Sequence, residues 1–217
     1  EIFLREIISN ASDAIDKLCY RSLTDDKVGM TRDDFRILVT ADEAGRTITV
    51  SDNGIGMTRE ELEQNLGVIA KSGSMAFKDG LGADEGEGAD VDIIGQFGVG
   101  FYSAFMVSDR VTVISKAYGA DTAYRWESEG ADGYTIDECE KDGVGTDVIM
   151  HIKPDDESER YGDFLQQWKL MQLIKKYSNY IRWPIQMDVK KSDFKETGEK
   201  NEDGSPKYET VTTTERE

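Results

Sequence analysis

The sequence predicts an α+β fold, a two-layer sandwich of a mixed, mostly antiparallel sheet with helices on one face. Helical periodicity marks a few separate segments, two-residue alternation marks several short segments in the second half, and the two kinds are clustered rather than strictly alternating. With 217 residues and 38% hydrophobic content, the chain can bury one good-sized core. We expect one domain over residues 1–189 and a charged, flexible linker over residues 190–217.

The chain is predicted to begin with a long helix and a β-hairpin. Apolar residues recur at helical spacing over residues 1–23. The pattern is already under way at the first residue, without a preceding cap, so we expect the natural N-terminus to lie upstream. Residues 36–40 and 47–51 then alternate as two strands that turn near residues 42–45.

A second helix and a glycine-rich segment are predicted next. Thr58 and Glu61 form a capping-box pattern, which predicts a helix to about residue 66. Residues 72–100 are rich in glycine and include an acidic run, so they cannot pack a core by themselves. We interpret this segment as a mobile flap.

The second half of the chain is predicted to form most of the sheet. A short apolar helix starts at Phe101, and a longer helix covers about residues 161–178. A last strand over residues 185–189 follows Pro184, which cannot continue a helix. The other alternating segments predict strands over residues 111–116, 123–128, 134–137 and 146–153.

The charge balance excludes several kinds of partner. Asp and Glu outnumber Lys and Arg by 44 to 26, which gives a formal net charge of −18. Because this surface repels phosphate-rich polymers and anionic lipids, we expect neither nucleic acid nor a membrane as partner. Cys19 and Cys139 lack the spacing of a zinc site or a disulfide scaffold, and no apolar run is long enough to span a membrane. These features predict a protein of the reducing cytoplasm.

Four polar residues of the first helix, Glu6, Asn10, Asp13 and Lys17, fall within about 60° of one another at helical geometry. This stripe combines a carboxylate suited to base chemistry with an amide whose oxygen can bind Mg²⁺. The alternative is a solvated flank with an incidental Asp13–Lys17 pair, worth about a few tenths of a kcal/mol. On one side of the stripe we assign four residues to solvent: Arg5, Ser9, Ser12 and Asp16. On the other side we assign four residues to the core: Ile7, Ala11, Ala14 and Leu18.

The loop over residues 52–57, DNGIGM, directly follows a predicted strand. Its two glycines allow a tight turn and a close approach to a flat ligand. Asp52 stands at the strand end as an acceptor, which suits a donor such as the exocyclic amine of adenine, and Met57 offers a soft apolar wall. The alternative is an ordinary turn in which Asp52 satisfies its own loop.

A second glycine pattern, over residues 95–101, precedes the helix that starts at Phe101. Free backbone N–H groups and the helix dipole at such a place are able to bind a phosphate. The pattern is neither a Rossmann fingerprint nor a Walker A loop, because no strand of a βαβ unit precedes it and the GK[ST] ending is missing. A hinge for the flap explains the glycines alone equally well.

Together and in this order, these segments resemble the ATPases shared by Hsp90, DNA gyrase, MutL and the sensor histidine kinases. Within that group the sequence is similar to the ATP-binding domain of Hsp90-type chaperones, in their bacterial form. The likeness rests on EIFLREIISNASDAIDK at residues 1–17, DNGIGM at 52–57, NLGVIAKSG at 65–73 and IGQFGVGF at 94–101. It continues to about residue 189.

The resemblance implies a Bergerat-type fold that uses ATP or ADP and Mg²⁺. It implies that Glu6 is the general base for the attacking water and that Asn10 holds the Mg²⁺ bridging the phosphates. It also implies that Asp52 binds the adenine amine with Thr146 helping through water, while Asn65 lies near the ribose and α-phosphate. The implied nucleotide-binding residues are Asn10, Asp13, Ala14, Lys17, Asp52, Gly56, Met57, Asn65, Lys71, Ser72, Gly95, Gln96, Phe97, Gly98, Val99, Gly100, Phe101 and Thr146.

The resemblance also implies features of the whole protein. Chaperones of this family act on client proteins as homodimers that close a lid over ATP, and residues 72–95 would be that lid, lengthened by the insert GADEGEGAD. A middle domain, which we expect outside this sequence, supplies an arginine to the γ-phosphate in the family, and such an arginine is worth several orders of magnitude in rate. We therefore expect this chain alone to be a monomer that binds nucleotide but hydrolyses ATP slowly.

Three other functions fit such a pocket less well. A sensor kinase phosphorylates a histidine, but the only histidine, His151, lies within a predicted strand and is expected to be a packed or edge residue. A gyrase or MutL function would make DNA the partner, which the acidic balance and the first-helix motif oppose. A nucleotide sensor without hydrolysis has no need of Glu6, whose charge near the γ-phosphate costs affinity.

Overall fold

The computed structural model describes residues 2–67, 100–130, 133–177, 180–200 and 206–216. The chain forms two compact units, Glu1–Ile185 and Gln186–Glu217. Apart from Gly100, the segment predicted as a flap lies outside the described residues. Among the helices that the structure describes, none has the length and apolar content to cross a membrane.

Helix α1, Ile2–Ser22, has one continuous apolar face. Its buried apolar residues repeat at intervals of three and four: Phe3, Leu4, Ile7, Ile8, Ala11, Ile15 and Leu18. The predicted solvent side is partly wrong. Ser12 is buried, because it follows Ile8 by four residues and so falls within the core face. Asp16 is half-buried and accepts hydrogen bonds from Trp183 Nε1 and the Arg182 guanidinium, each at 3.1 Å.

Six strands make up the sheet of the first unit, and each pairing between neighbours is antiparallel. In chain order the strands are β1 Ile37–Asp42, β2 Thr47–Asp52, β3 Ser108–Lys116, β4 Ala123–Ser128, β5 Thr135–Cys139 and β6 Gly145–Ile152. Across the sheet their order is β5-β4-β3-β6-β2-β1. Because β6 inserts between β2 and β3, the early hairpin and the later strands form one surface.

The strand register collects apolar side chains on the inner face of the sheet. Val39, Val50, Val148, Val113 and Trp126 stand directly opposite one another on successive strands. Helix α1 packs on this face against β2, β1 and β6. Fully burying side chains of this size stabilises a fold by about 1.5–3 kcal/mol each. The predicted α+β arrangement of a largely antiparallel sheet and helices is confirmed.

The shorter helices differ in detail from the predictions. Helix α2, Arg59–Leu62, has the predicted capping box between Thr58 and Glu61, but it continues as one π-helical turn, Glu63–Gly67. The short apolar helix begins as a 3₁₀ turn, Gly100–Ser103, before α3, Ala104–Val107. Likewise a 3₁₀ turn, Tyr161–Leu165, precedes α4, Gln167–Tyr177.

The second unit is a β-hairpin where the sequence analysis expects a flexible linker. Strand β7, Ile185–Lys200, pairs antiparallel with β8, Pro206–Arg216. Arg216 Nε lies 2.8 Å from Asp188 Oδ1 across the pair. The valine and threonines of β8 favour a strand even though the segment has few large apolar residues. The connection of this segment to a further domain stays a prediction.

Candidate functional site

A cavity of about 500 Å³ opens between α1 and one end of the sheet. Residues from every predicted site segment that the structure describes line it. The lining residues are Glu6, Ile7, Asn10, Ala11, Asp13, Ala14, Lys17, Val50, Asp52, Ile55, Gly56, Met57, Glu61, Asn65, Leu66, Gly100, Phe101, Val113, Thr146 and Val148. A space of this size accommodates a small organic ligand.

The polar stripe of α1 forms one wall of this cavity. Glu6, Asn10, Asp13 and Lys17 all line it, with Ala14 between them. The same helix buries its apolar face in the core, so the position of the stripe is fixed by packing. A rigid helix therefore presents a carboxylate and an amide to the same space.

Glu6 is held by its neighbour Arg5. The Arg5 guanidinium donates to Glu6 Oε1 from Nε at 3.0 Å and from a terminal nitrogen at 2.7 Å. Arg5, which was assigned to the solvent side, is only half-exposed because of this contact. The other carboxylate oxygen, Oε2, lies on the side of Gly100, which approaches it so closely that a β-carbon there would be 2.4 Å away.

Asp52 stands at the other end of the cavity, at the last position of β2. It is 9% exposed, and its Oδ1 accepts a hydrogen bond from Gly54 N at 2.8 Å. Burial raises the pKa of Asp52 to about 7, and the Asp147 carboxylate adds to the rise, while the Gly54 hydrogen bond and the Lys141 charge oppose it. Asp52 is thus a buried acceptor whose charge changes near neutral pH.

Thr146 lines this end of the cavity, and Ser115, a fully buried residue that the sequence analysis missed, supports it from behind. Thr146 stands directly opposite Asp52 in the β2–β6 register, and its Oγ1 lies 2.8 Å from Ser115 Oγ. The same Ser115 oxygen accepts a hydrogen bond from Met57 N at 2.8 Å. The signal for Ser115 was a polar residue that continues the inward-facing row of Val111 and Val113 on β3.

The loop after β2 is fixed to both of its neighbours. Ile55 N donates to Ala14 O of α1 at 3.0 Å, and Tyr118 N donates to Ile55 O at 2.8 Å. Gly56 has a left-handed backbone with φ +65°, and a β-carbon there would lie 2.0 Å from Lys116 O. Only glycine fits both conditions without a shift of the backbone.

Asn65 and Phe101 also line the cavity. Asn65 lies on the π-helical turn Glu63–Gly67, with its Nδ2 3.8 Å from Met57 Sδ. Phe101 is buried in the turn that follows Gly100, and its ring packs edge-on against Trp126 at 5.7 Å. Asn65 therefore adds a polar group, and Phe101 an aromatic ring, to the lining of the cavity.

Comparison with known proteins gives the family. The profile of the family described as histidine kinase-, DNA gyrase B-, and HSP90-like ATPase matches residues 1–146. The chain belongs to this ATPase family. The matched range contains every residue that lines the cavity except Val148.

Bacterial relatives of this ATPase family member carry the name Chaperone protein HtpG. The chain is 56% identical to that of Clostridium perfringens over 211 residues, which is 97% of the chain and 33% of the relative. It is 59% identical to that of Bacillus subtilis over 202 residues, 93% of the chain and 32% of the relative. The chain thus spans about a third of the length of the curated relatives it matches.

Seven of the predicted site residues lie outside the described residues. They are Lys71, Ser72, Gly95, Gln96, Phe97, Gly98 and Val99. Their nucleotide contacts stay predictions, as do the roles assigned to the residues that line the cavity.

His151, the histidine that a sensor kinase would need, is not among the cavity residues. It lies on β6 at the position opposite Thr47, with Nδ1 3.2 Å from the Arg110 guanidinium and Nε2 3.3 Å from Thr112 Oγ1. Burial and the Arg110 charge lower the pKa of His151. This histidine is a member of a polar cluster on the outer face of the sheet.

Proposed function

We propose that this cavity binds ATP or ADP with the adenine at the Asp52 end. The buried Asp52 carboxylate carries the proposal, because a desolvated acceptor is costly unless a ligand or solvent donor uses it. The exocyclic amine of adenine is such a donor. Thr146, directly opposite Asp52, supports the ring through a water molecule, and Met57 covers one side.

The triphosphate then extends along α1 toward Glu6 and Asn10. Asn65 and the turn at Gly100 also line the cavity, and Asp13, Ala14 and Lys17 support its wall. The Phe101 backbone and the backbone at Gly100 contribute N–H groups suited to phosphate oxygens. A nucleotide in this orientation brings its γ-phosphate to the Glu6 end.

Glu6 is proposed to act as the general base for hydrolysis. Arg5 fixes one carboxylate oxygen, while Oε2 faces the Gly100 side of the cavity. In the reaction Glu6 takes a proton from a water molecule as the water oxygen attacks the γ-phosphorus, and the bond to the β-phosphate oxygen breaks. The products are ADP and phosphate.

The donor set at this end also fits Mg²⁺. This ion usually keeps several waters and takes only one or two protein ligands together with phosphate oxygens. Asn10 is open to the cavity and offers its amide oxygen, and the described residues contain no cluster of three or more His, Cys, Asp or Glu side chains able to hold a metal. When bound, Mg²⁺ neutralises charge on the phosphates.

For the whole protein we propose the role of an Hsp90-type chaperone in the cytoplasm. The relatives named Chaperone protein HtpG support it, since they share more than half of the aligned residues. Residues 1–189 would be the ATP-binding domain, and nucleotide-driven lid closure and clamping of a homodimer would assist folding of client proteins. The chain by itself is proposed to be a monomer that binds nucleotide and hydrolyses ATP slowly.

Two substitutions test the binding and the chemistry separately. Asp52→Asn is expected to abolish ATP and ADP binding in calorimetry, whereas Asp33→Asn, at an exposed position, retains it. Glu6→Ala in the full-length protein is expected to keep ATP binding and to reduce phosphate release by about a hundredfold or more. The exposed Glu43→Ala is its control. Normal ATP binding by Asp52→Asn would show that the pocket is misassigned.

A further inference from the structure

Asn65 has no strong contact of its own among the described residues. Its side chain is exposed to the cavity, and its amide lies 3.8 Å from a methionine sulfur, Met57 Sδ. Its direction therefore depends on the π-helical turn Glu63–Gly67 that carries it. Such turns are rare and occur often at functional sites, because the wider helical repeat redirects a side chain.

Two tyrosines from other parts of the chain hold this turn. Tyr102 Oη donates to Leu66 O at 2.5 Å. The Tyr134 ring packs against the backbone of Gly67 so closely that a β-carbon there would lie 2.6 Å from Oη and 2.7 Å from Cζ. Tyr134 Oη also lies 3.5 Å from Glu63 Oε1, so Tyr134 contacts both ends of the turn.

The Tyr134 ring is itself fixed by the core. It stacks on Trp126, with ring centroids 6.0 Å apart and planes inclined by 24°. Trp126 is fully buried and packs edge-on against Phe101, which lines the cavity. Aromatic packing therefore connects the cavity wall at Phe101 with the turn that presents Asn65.

We propose that Tyr134 is a positioning residue for nucleotide binding: its ring, fixed on Trp126, holds the Glu63–Gly67 turn so that Asn65 faces the cavity. The proposal rests on the proposed ATP-binding function, in which Asn65 lies near the ribose and the α-phosphate. Tyr134 is not among the residues that line the cavity, so it acts through Asn65 and not by touching the nucleotide.

A double-mutant cycle tests this role. ATP affinity is measured by calorimetry for Asn65→Ala, Tyr134→Ala and the double variant, with Tyr180→Ala, 94% exposed, as the matched tyrosine control. Each single change is expected to weaken binding about five- to tenfold. The double variant is expected to stay within about twofold of the weaker single variant, because the same contact is lost. Effects that multiply, or a Tyr134→Ala affinity within about twofold of wild type, would overturn the proposal.

Two further variants separate positioning from a general loss of stability. Tyr134→Phe keeps the ring and loses only the 3.5 Å hydroxyl contact, so it is expected to bind ATP within about twofold of wild type. Gly67→Ala is expected to weaken binding in the presence of Tyr134 and to weaken it less in Tyr134→Ala, where the obstructing ring is gone. A Tyr134→Phe variant as impaired as Tyr134→Ala, or an equal Gly67→Ala effect in both backgrounds, contradicts the ring's role.

Binding by the wild-type protein and by Asp52→Asn distinguishes failure of the proposed function from failure of the proposed role of Tyr134. If wild type binds no adenine nucleotide, the proposed function and this inference both fail. If wild type binds ATP, Asp52→Asn does not, and the Asn65 and Tyr134 effects multiply, only the role of Tyr134 fails. Thermal melts of each variant establish that the compared proteins are folded.

Discussion

Asp52→Asn is expected to stabilise the unliganded protein while it removes nucleotide binding. The pKa of Asp52 rises from 3.8 to about 7 in the folded chain, chiefly through burial. Because the pKa is raised in the folded chain, the contribution of this carboxyl to the free energy of unfolding is fully present below pH 3.8. That contribution is lost as the pH rises to about 7. At about 1.36 kcal/mol per pKa unit, the loss at pH 8 is about 4 kcal/mol. An asparagine at this position stays neutral and avoids this loss of stability, while its Oδ1 can still accept the hydrogen bond from Gly54 N.

Urea denaturation without nucleotide measures this effect. The free energy of unfolding is compared for wild type and Asp52→Asn at pH 5 and pH 8 by linear extrapolation. The variant is expected to be the more stable by up to about 4 kcal/mol at pH 8, and the difference is expected to shrink by about 2–3 kcal/mol at pH 5. Asp33→Asn, at an exposed position, controls for the change of residue type.

Two outcomes would refute this reasoning. Equal stability of wild type and Asp52→Asn at pH 8 would mean that the Asp52 carboxylate is not desolvated in the folded protein. A stability difference that grows toward low pH would mean that the charged form is favoured by the fold. Either result would remove the physical reason for assigning the adenine amine to this acceptor.

Three more predictions concern the loop, the strand beneath it and the metal ion. Ser115→Ala leaves Met57 N and Thr146 Oγ1 without the Ser115 oxygen, so we expect a loss of about 1–3 kcal/mol in urea denaturation and severalfold weaker ATP binding in calorimetry. An unchanged free energy of unfolding together with an unchanged ATP affinity would contradict this prediction. Gly56→Ala should lower the melting temperature far more than Gly119→Ala, because both have positive φ but only Gly56 has a backbone carbonyl in the way; equal melting temperatures would refute this. Chelation of Mg²⁺ by EDTA should stop phosphate release by the full-length protein, and added Mg²⁺ should restore it; release that continues in EDTA would exclude a requirement for Mg²⁺.

Much of the site was accessible from sequence because its parts are local. The α1 stripe follows from helical geometry alone, and the loop at residues 52–57 follows from glycines placed directly after an alternating strand. The capping box of Thr58 and Glu61 was equally predictable from the sequence. What joined these parts was the resemblance to a family, since no local pattern states that α1 and the end of β2 share a cavity.

The features that were missed depend on contacts distant in sequence. Ser115 accepts a hydrogen bond from Met57 N, which is 58 positions away in sequence, and the β3–β6 register places Thr146 opposite Ser115. The alternation pattern of a single strand reveals neither contact. The π-helical turn after Leu62 depends on Tyr102 and the ring against Gly67. Ser12 was misassigned because the core face of α1 is wider than a narrow apolar stripe. The hairpin in the second unit was missed because its strands pair mainly polar and β-branched residues.

The alternation of β2 has a practical consequence for protein engineering. A slip of β2 by one residue against β6 would turn Asp52 to the opposite face of the sheet, away from Thr146, so the strand itself tolerates no insertion. The hairpin tip before Thr47 lies about 17 Å away along the strand. Its residues 43–45 are exposed. A fluorophore or an affinity peptide grafted there would report on or immobilise the molecule and leave ligand access untouched.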